Sequence, residues 1–192
     1  MHKLVSLVIV AAAAAVNTVP AVAVAGEMEF DPLTVDVVDA LECRLDPRTY
    51  NGFAFTIGSD DSGYRARGWK RRKSNNPFLS QYELPKPITI AGHRTRTVVF
   101  SSTAIMAVLD ADLNELARHE NIENALGASE ELGASQKLGA SQKFLGERVI
   151  SSKSETDNGL SFASTVKRVL SNVTSHPTKA LLGCSYSVEL KD

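Results

Sequence analysis

The chain has 192 residues, with 21 Lys and Arg against 22 Asp and Glu, a formal net charge of −1, and two cysteines. This length is that of one ordinary domain, which can bury a hydrophobic core without relying on disulfide bonds. The near-neutral charge argues against a protein dedicated to binding nucleic acid, although it leaves room for a local basic patch.

Residues 1–25 have the pattern of a secretory signal peptide. A short cationic start precedes an uncharged apolar run over residues 4–16, and Ala23-Val24-Ala25 supplies a small-residue cleavage site. Asn17, Thr18 and Pro20 break the apolar run, so the uninterrupted span of about 20 residues that an uncleaved membrane anchor needs is absent. We predict a periplasmic or secreted protein in which residues 26–192 form one β-rich domain without a transmembrane segment.

Alternating apolar residues predict two strands near the start of this domain. The first covers Leu41–Leu45 and places Cys43 on its buried face, and the second covers Phe53–Ile57. Asp46-Pro47 is expected to end the first strand, and Asn51-Gly52 is a turn pair before the second.

The middle of the chain predicts further extended segments. A third strand covers Tyr64–Lys70 and ends at Ser74-Asn75-Asn76-Pro77. In the following hairpin, Ile88–Ile90 and Arg94–Phe100 are joined by a turn at Gly92-His93. Residues 104–109 fit either a strand or the first turns of a helix, because their periodicity does not separate the two.

One helix is predicted from Ala111 to about Ala125, with Asp110 as its N-cap and His119 on its solvated face. Residues 126–143 then read LGASEE, LGASQK, LGASQK, three copies of one hexapeptide. We interpret this repeat as a local expansion in an exposed loop or at the helix end, without a role in chemistry.

The last part of the chain returns to strand-like sequence. Phe144–Ser152 resumes the pattern, and Arg148–Leu170 is typical of a hairpin that turns at Asp157-Asn158-Gly159. A turn at Ser175-His176-Pro177 precedes a final strand over Ala180–Leu190.

Seven or eight short strands and one helix favour a mainly β fold, an antiparallel β-sandwich or open barrel, with an α+β arrangement as the alternative. Two cysteines in an exported chain are expected to pair, so Cys43 and Cys184 should join the first and last strands. Such a long closed loop corresponds to a stabilisation of about 4–5 kcal/mol. Two buried free thiols are the alternative.

The most distinctive polar feature is a run of six cations and two aromatic residues from Tyr64 to Lys73. In an extended strand, Arg65, Arg67 and Trp69 would share one face, where guanidinium groups and a ring can contact an anionic or sugar-bearing ligand together. Cations of the neighbouring hairpin would join them if the two hairpins are adjacent. The predicted binding residues are Arg65, Arg67, Trp69, Lys70, Arg71, Arg72, Lys73, Arg94 and Arg96. The alternative is a solubilising hairpin tip in which Trp69 belongs to the core.

Patterns typical of enzymes do not form a coherent set. Ser164 and Lys167 fit S-x-x-K without its companion motifs, and residues 159–163 resemble a nucleophile elbow without its strand–turn–helix context. His93, His119 and His176 lack the spacing of metal ligands, so we predict neither a metal nor another cofactor.

These observations favour an exported, non-enzymatic binding protein, either an inhibitor or immunity-type protein that caps an exported enzyme or an envelope-binding module. Its expected partner is an acidic protein or an anionic envelope glycan. The alternative is a small exported hydrolase whose site is assembled only in three dimensions. A deep pocket that joins a histidine to a serine or carboxylate would indicate the hydrolase, and a flat or protruding surface around Trp69 would indicate binding.

Overall fold

A computed structural model describes residues 31–59, 61–125, 144–157 and 160–191. The predicted signal peptide, the hexapeptide repeat and the turn residues Asn158-Gly159 lie outside these ranges. In chain order the described elements are a 3-10 helix (Pro32–Thr34), α1 (Val37–Leu41), α2 (Pro47–Gly58), α3 (Asp61–Ala66), β1 (Lys70–Arg72), β2 (Ser80–Ile90), β3 (His93–Phe100), β4 (Ala104–Leu109), α4 (Leu113–Glu120), β5 (Leu145–Asp157), β6 (Leu160–Ser171) and β7 (Ala180–Lys191).

The seven described strands form one antiparallel sheet in the order β1-β2-β3-β4-β7-β6-β5. Strands β1 to β4 follow one another in the sheet, as do β5 to β7. Pairing of β4 with β7 joins these two halves. The prediction of a mainly antiparallel β fold with seven or eight strands is confirmed.

The helices cover one face of this sheet. The main core contains Tyr50, Phe53 and Ile57 of α2 together with residues from five of the strands, β2, β3, β4, β6 and β7. The rings of Tyr50 and Tyr186 stack with their centroids 4.2 Å apart. The layer that packs on the sheet is therefore helical, which corresponds to the α+β alternative. The prediction of one helix is wrong, because the described ranges contain four α-helices.

The predicted strand over Phe53–Ile57 is wrong, because these residues belong to α2. The Asp46 side chain accepts hydrogen bonds from the backbone N–H groups of Arg48 and Thr49, at 2.9 and 3.0 Å, and Pro47 occupies the first turn. Asp46-Pro47 thus begins a helix instead of ending a strand. Phe55 is 74% exposed, so apolar alternation at this segment does not reflect a single buried face.

The strand predicted over Leu41–Leu45 is also wrong. Asp36 caps α1 through the backbone N–H of Val38 at 2.8 Å, and Leu41 is the last residue of that helix. Cys43 follows with a positive φ of 61°, a left-handed conformation that is common just after helix ends.

The predicted disulfide between Cys43 and Cys184 is confirmed, with a Cα–Cα distance of 5.3 Å that lies in the usual range. The bridge joins the turn after α1 to β7, and so links the first helical region, not a first strand, to the last strand. Structural disulfides are typical of proteins that fold in oxidising compartments outside the cytosol.

The third predicted strand, over Tyr64–Lys70, is replaced by α3, a tight turn and the short β1. The turn places Gly68 at a φ of 69°, and the N–H of Trp69 donates to the carbonyl of Tyr64 at 2.9 Å. Gly63 allows α2 and α3 to approach closely, because a Cβ there would lie 1.9 Å from the carbonyl oxygen of Thr56.

The remaining predictions agree better with the structure. The β2–β3 hairpin turns at Ala91-Gly92, where both φ angles are positive, as in a type I′ turn. Residues 104–109 form β4. The predicted helix is present as α4, although Asp112, not Asp110, caps it and it ends at Glu120, with Asn121 as the C-cap. The predicted hairpin after Phe144 corresponds to β5 and β6.

A buried ion pair connects three elements of the core. Arg168 on β6 donates from Nε to Glu120 of α4 at 2.9 Å and from Nη1 to the carbonyl of Leu41 at 2.6 Å. The side chains of Arg168 and Glu120 are only 6% and 11% exposed. Burial by itself raises the pKa of Glu120, but the hydrogen bond and charge of Arg168 outweigh burial and hold this pKa below its ordinary value.

Candidate functional site

The basic run predicted as a binding site lies at one edge of the sheet. Lys70, Arg71 and Arg72 form β1, an edge strand that pairs with β2, and all three are exposed. Lys73 is exposed at the start of the following loop. The edge therefore presents four consecutive cations to solvent.

A carboxylate on β2 joins this edge to β3. Glu83 accepts a hydrogen bond from Nε of Arg72 at 2.8 Å, pairs also with Nη2 of Arg72, and lies 3.3 Å from Nη2 of Arg96. Nε of Arg96 donates to the carbonyl of Leu84 at 2.9 Å. The hydrogen bond from Arg72, and then the charges of Arg72, Arg96 and Lys70, hold the pKa of Glu83 below its ordinary value.

The structure thus brings Arg72 and Arg96 together, whereas Arg94 lies farther along β3, opposite Thr89 and close to the hairpin turn. Arg94 is exposed. Sequence patterns did not identify Glu83 as the residue that links β1 to β3. Its contacts depend on the strand register, which places Glu83 opposite Lys70 of β1 and Thr97 of β3.

The predicted common face of Arg65, Arg67 and Trp69 does not exist, because α3 and the turn at Gly68 replace the strand. Trp69 is only 6% exposed and packs against Phe53, Tyr82 and Phe100. The alternative in which Trp69 belongs to the core is therefore the one observed.

Arg67 holds the N-terminal segment against this core. Its guanidinium donates to the carbonyls of Leu33 and Val35 at 2.6 and 2.5 Å and lies 5.1 Å from the ring centroid of Trp69. Burial lowers the pKa of Arg67. Its contacts are those of a structural residue, whereas Arg65 is exposed at the end of α3, 5.7 Å from the ring of Tyr64.

The loop between β1 and β2, residues 73–79, carries an exposed aromatic ring that the sequence predictions omitted. Phe78 is 83% exposed, while its neighbour Leu79 is only 9% exposed. Asn76 accepts from the N–H of Phe78 through Oδ1 at 2.9 Å and from the N–H of Leu79 through its carbonyl at 3.1 Å. The turn signal Asn76-Pro77 just before an aromatic residue could have indicated this position.

Charge is strongly segregated along the chain. Residues 62–100, which comprise most of α3 and all of β1, β2 and β3, contain nine Lys and Arg residues and one carboxylate, Glu83. We call this part of the molecule the basic end. The total charge of −1 therefore conceals a strongly basic region at one end of the sheet order.

A histidine lies where the loop after β6 reaches β2. Nδ1 of His176 is 3.0 Å from Oγ of Ser175, and Nε2 is 3.0 Å from Oε1 of Gln81. Burial lowers the pKa of His176, which favours the neutral form of the ring. Gln81 and Glu83 occupy alternate positions of β2 and share one sheet face.

The surface beside Trp69 has an open depression of about 300 Å³, lined by Leu33, Ala66, Arg67 and Trp69 itself.

Within the described ranges, no helix is long and apolar enough to cross a bilayer. Residues 31–59, 61–125, 144–157 and 160–191 contain no group of three or more His, Cys, Asp or Glu side chains that could hold a metal ion.

Comparison of the chain with protein-family models, with curated proteins and with solved structures found no match.

Proposed function

We propose that the chain is an exported binding protein that holds an anionic partner at the basic end. The observation that carries this proposal is the segregation of nine cations and one carboxylate into residues 62–100. The exposed cations among these residues lie on neighbouring elements of the fold, so their charges add up in the potential that one anionic ligand would meet. Glu83 keeps Arg72 and Arg96 in fixed positions, which lowers the entropy that these side chains lose on binding.

The predicted partners, an acidic protein or an anionic envelope glycan, both fit a surface of this kind. Arg71, Lys73 and Arg94 are exposed, and their charges are available to carboxylate, sulfate or phosphate groups. The signal-peptide pattern of residues 1–25 and the Cys43–Cys184 bridge support a periplasmic or secreted location for such a partner.

Replacing Arg71, Arg72 and Lys73 with Ala is expected to weaken binding to immobilised heparin, a soluble anionic glycan. Each cation that contacts the polyanion contributes about one to the slope of log affinity against log salt concentration, so the loss of Arg71 and Lys73 should lower the slope by about two. Arg72 is paired with Glu83 and should add little to this change. The measurement is the dissociation constant over a range of salt concentrations.

The matched control replaces Arg118, Lys153 and Lys191, three exposed cations outside the basic end, with Ala. This variant has the same net charge as the first one, so it separates a local site from overall charge. Equal losses in the two variants would contradict the proposal.

The second candidate is the small exported hydrolase, which the contacts of His176 support. Ser175, His176 and Gln81 follow the pattern of a nucleophile, a base and a group that orients the base. For a binding protein we expect no covalent labelling of Ser175 by a fluorophosphonate probe, as measured by mass spectrometry. Labelling that is lost in His176→Ala would replace the binding proposal with the hydrolase.

A further inference from the structure

The exposure of Phe78 needs an explanation that the cations of β1 do not require. Lys and Arg residues on an edge strand prevent edge-to-edge pairing with other chains, and this accounts for charge on β1 without any ligand. Protection of an edge does not account for a phenyl ring that is 83% exposed a few residues away. A single exposed apolar side chain is ordinary on a protein surface, but a phenyl ring close to four consecutive cations has the composition of a membrane-contact surface.

The loop holds this ring outward in a defined shape. Ser74 Oγ contacts Asn76 twice, accepting from its N–H at 3.1 Å and donating to its carbonyl at 3.0 Å. Asn76 in turn accepts from the N–H groups of Phe78 and Leu79. Because Leu79 packs with Val99, Met106 and Leu181, the backbone at Phe78 is fixed next to a buried residue.

Cations and an exposed ring together match the chemistry of an anionic phospholipid surface. Peripheral binding to a membrane combines an apolar group placed among the lipid headgroups with electrostatic attraction of basic residues to anionic lipids. Lys73 and Phe78 lie in the same loop, and Lys70, Arg71 and Arg72 lead directly into it.

Two other anionic partners account less well for the exposed ring of Phe78. Single-stranded nucleic acid is bound on several aromatic side chains along a basic groove. In the basic end, however, the other aromatic side chains are all buried: Tyr64, Trp69, Tyr82 and Phe100. A protein partner would need a pocket that receives a single projecting ring, whereas a lipid headgroup layer accepts such a ring without a preformed pocket.

We propose that the β1–β2 loop docks the protein on an anionic phospholipid membrane, with Phe78 inserted among the headgroups and Lys70, Arg71 and Lys73 against the lipid phosphates. This inference rests on the proposed function, because it names the anionic partner of the basic end. Arg72 remains paired with Glu83 and positions the edge strand.

The test is co-sedimentation of residues 26–192 with phosphatidylcholine vesicles that do or do not contain phosphatidylserine. Residues 1–25 are omitted because their apolar run would itself bind lipid. We expect binding only to vesicles with phosphatidylserine. Phe78→Ala should lower the partition coefficient about tenfold, since the apolar contribution of the ring is lost. Arg71→Ala with Lys73→Ala should lower it about 25-fold, at about fivefold for each cation.

Phe55 provides a matched control, because it is a second phenylalanine, 74% exposed, on α2. Phe55→Ala should leave the partition coefficient unchanged, and Phe78→Trp should retain it. Equal binding by Phe78→Ala and Phe55→Ala would overturn the membrane proposal, as would equal binding to the two kinds of vesicle.

Heparin and a single-stranded oligonucleotide separate this inference from the proposed function. Phe78→Ala should bind heparin as the wild type does, because the ring is not needed for a soluble polyanion. Heparin binding without vesicle binding overturns only the membrane proposal. Loss of oligonucleotide binding in Phe78→Ala, with unchanged vesicle binding, would reject the membrane in favour of nucleic acid.

Discussion

Replacing Arg168 with Met is expected to lower the free energy of unfolding by about 3–5 kcal/mol, because removing one member of a buried ion pair leaves an uncompensated charge. Glu120 would lose the partner that offsets its burial, and the carbonyl of Leu41 would lose its donor. Urea denaturation followed by circular dichroism measures the change. It should affect the whole domain, since Arg168 connects α1, α4 and β6.

The neighbouring residue Lys167 is the matched control. Its ion pair with Glu147 is exposed, with side-chain exposures of 32% and 54%, so Lys167→Met should cost about 1 kcal/mol or less. Equal effects of the two substitutions would contradict a structural role for the buried pair.

The effect of Arg168→Met also depends on pH. Arg168 lowers the pKa of Glu120 in the folded state, so the stability that this interaction contributes is present above the pKa of the unfolded chain and is lost as the pH falls through the folded value. The difference between wild type and Arg168→Met should therefore shrink below about pH 4, near the ordinary glutamate pKa.

Replacing both Cys43 and Cys184 with Ala is expected to lower the free energy of unfolding by about 3–5 kcal/mol. The bridge spans 141 residues of sequence, and closing so long a loop removes much of the conformational entropy of the unfolded chain. Total stabilities of single domains are about 5–15 kcal/mol, so this loss is a large fraction. Urea titration of the oxidised wild type and of the double variant gives the difference.

Reduction of the wild type provides an independent check on the same bond. Reduced wild type and Cys43→Ala/Cys184→Ala should unfold at similar urea concentrations, both below that of the oxidised protein. If oxidised and reduced wild type unfold at the same concentration, the bridge does not contribute to stability.

The sequence predicted the C-terminal half of the fold better than the N-terminal half. Strands β6 and β7 follow long alternating segments between turn residues, so local pattern and tertiary structure agree. In α2, Phe53 and Ile57 are four residues apart, a spacing that suits a helix as well as a strand. Exposed Phe55 between them produces an apolar alternation without a buried strand face, and Asp46, predicted to end a strand, instead caps this helix.

For the candidate site, sequence predicted the exposure of β1 but not its surroundings. A run of Lys and Arg is too costly to bury, so its contact with solvent follows from composition. The burial of Trp69 and the exposure of Phe78 depend on the turn at Gly68 and on hydrogen bonds of Asn76. These are tertiary details that residue type alone does not determine.

The position of the Cys43–Cys184 bridge also governs how the molecule would respond to mechanical tension. A force applied between residues 31 and 191 would pass through the disulfide bond between Cys43, in the turn after α1, and Cys184 of β7, and would bypass the chain between them. The hydrogen bonds between β4 and β7, which join the two halves of the sheet, would carry little of this load. Only the short segments outside the bridge would extend, so the basic end would keep its shape while the chain is pulled by its ends.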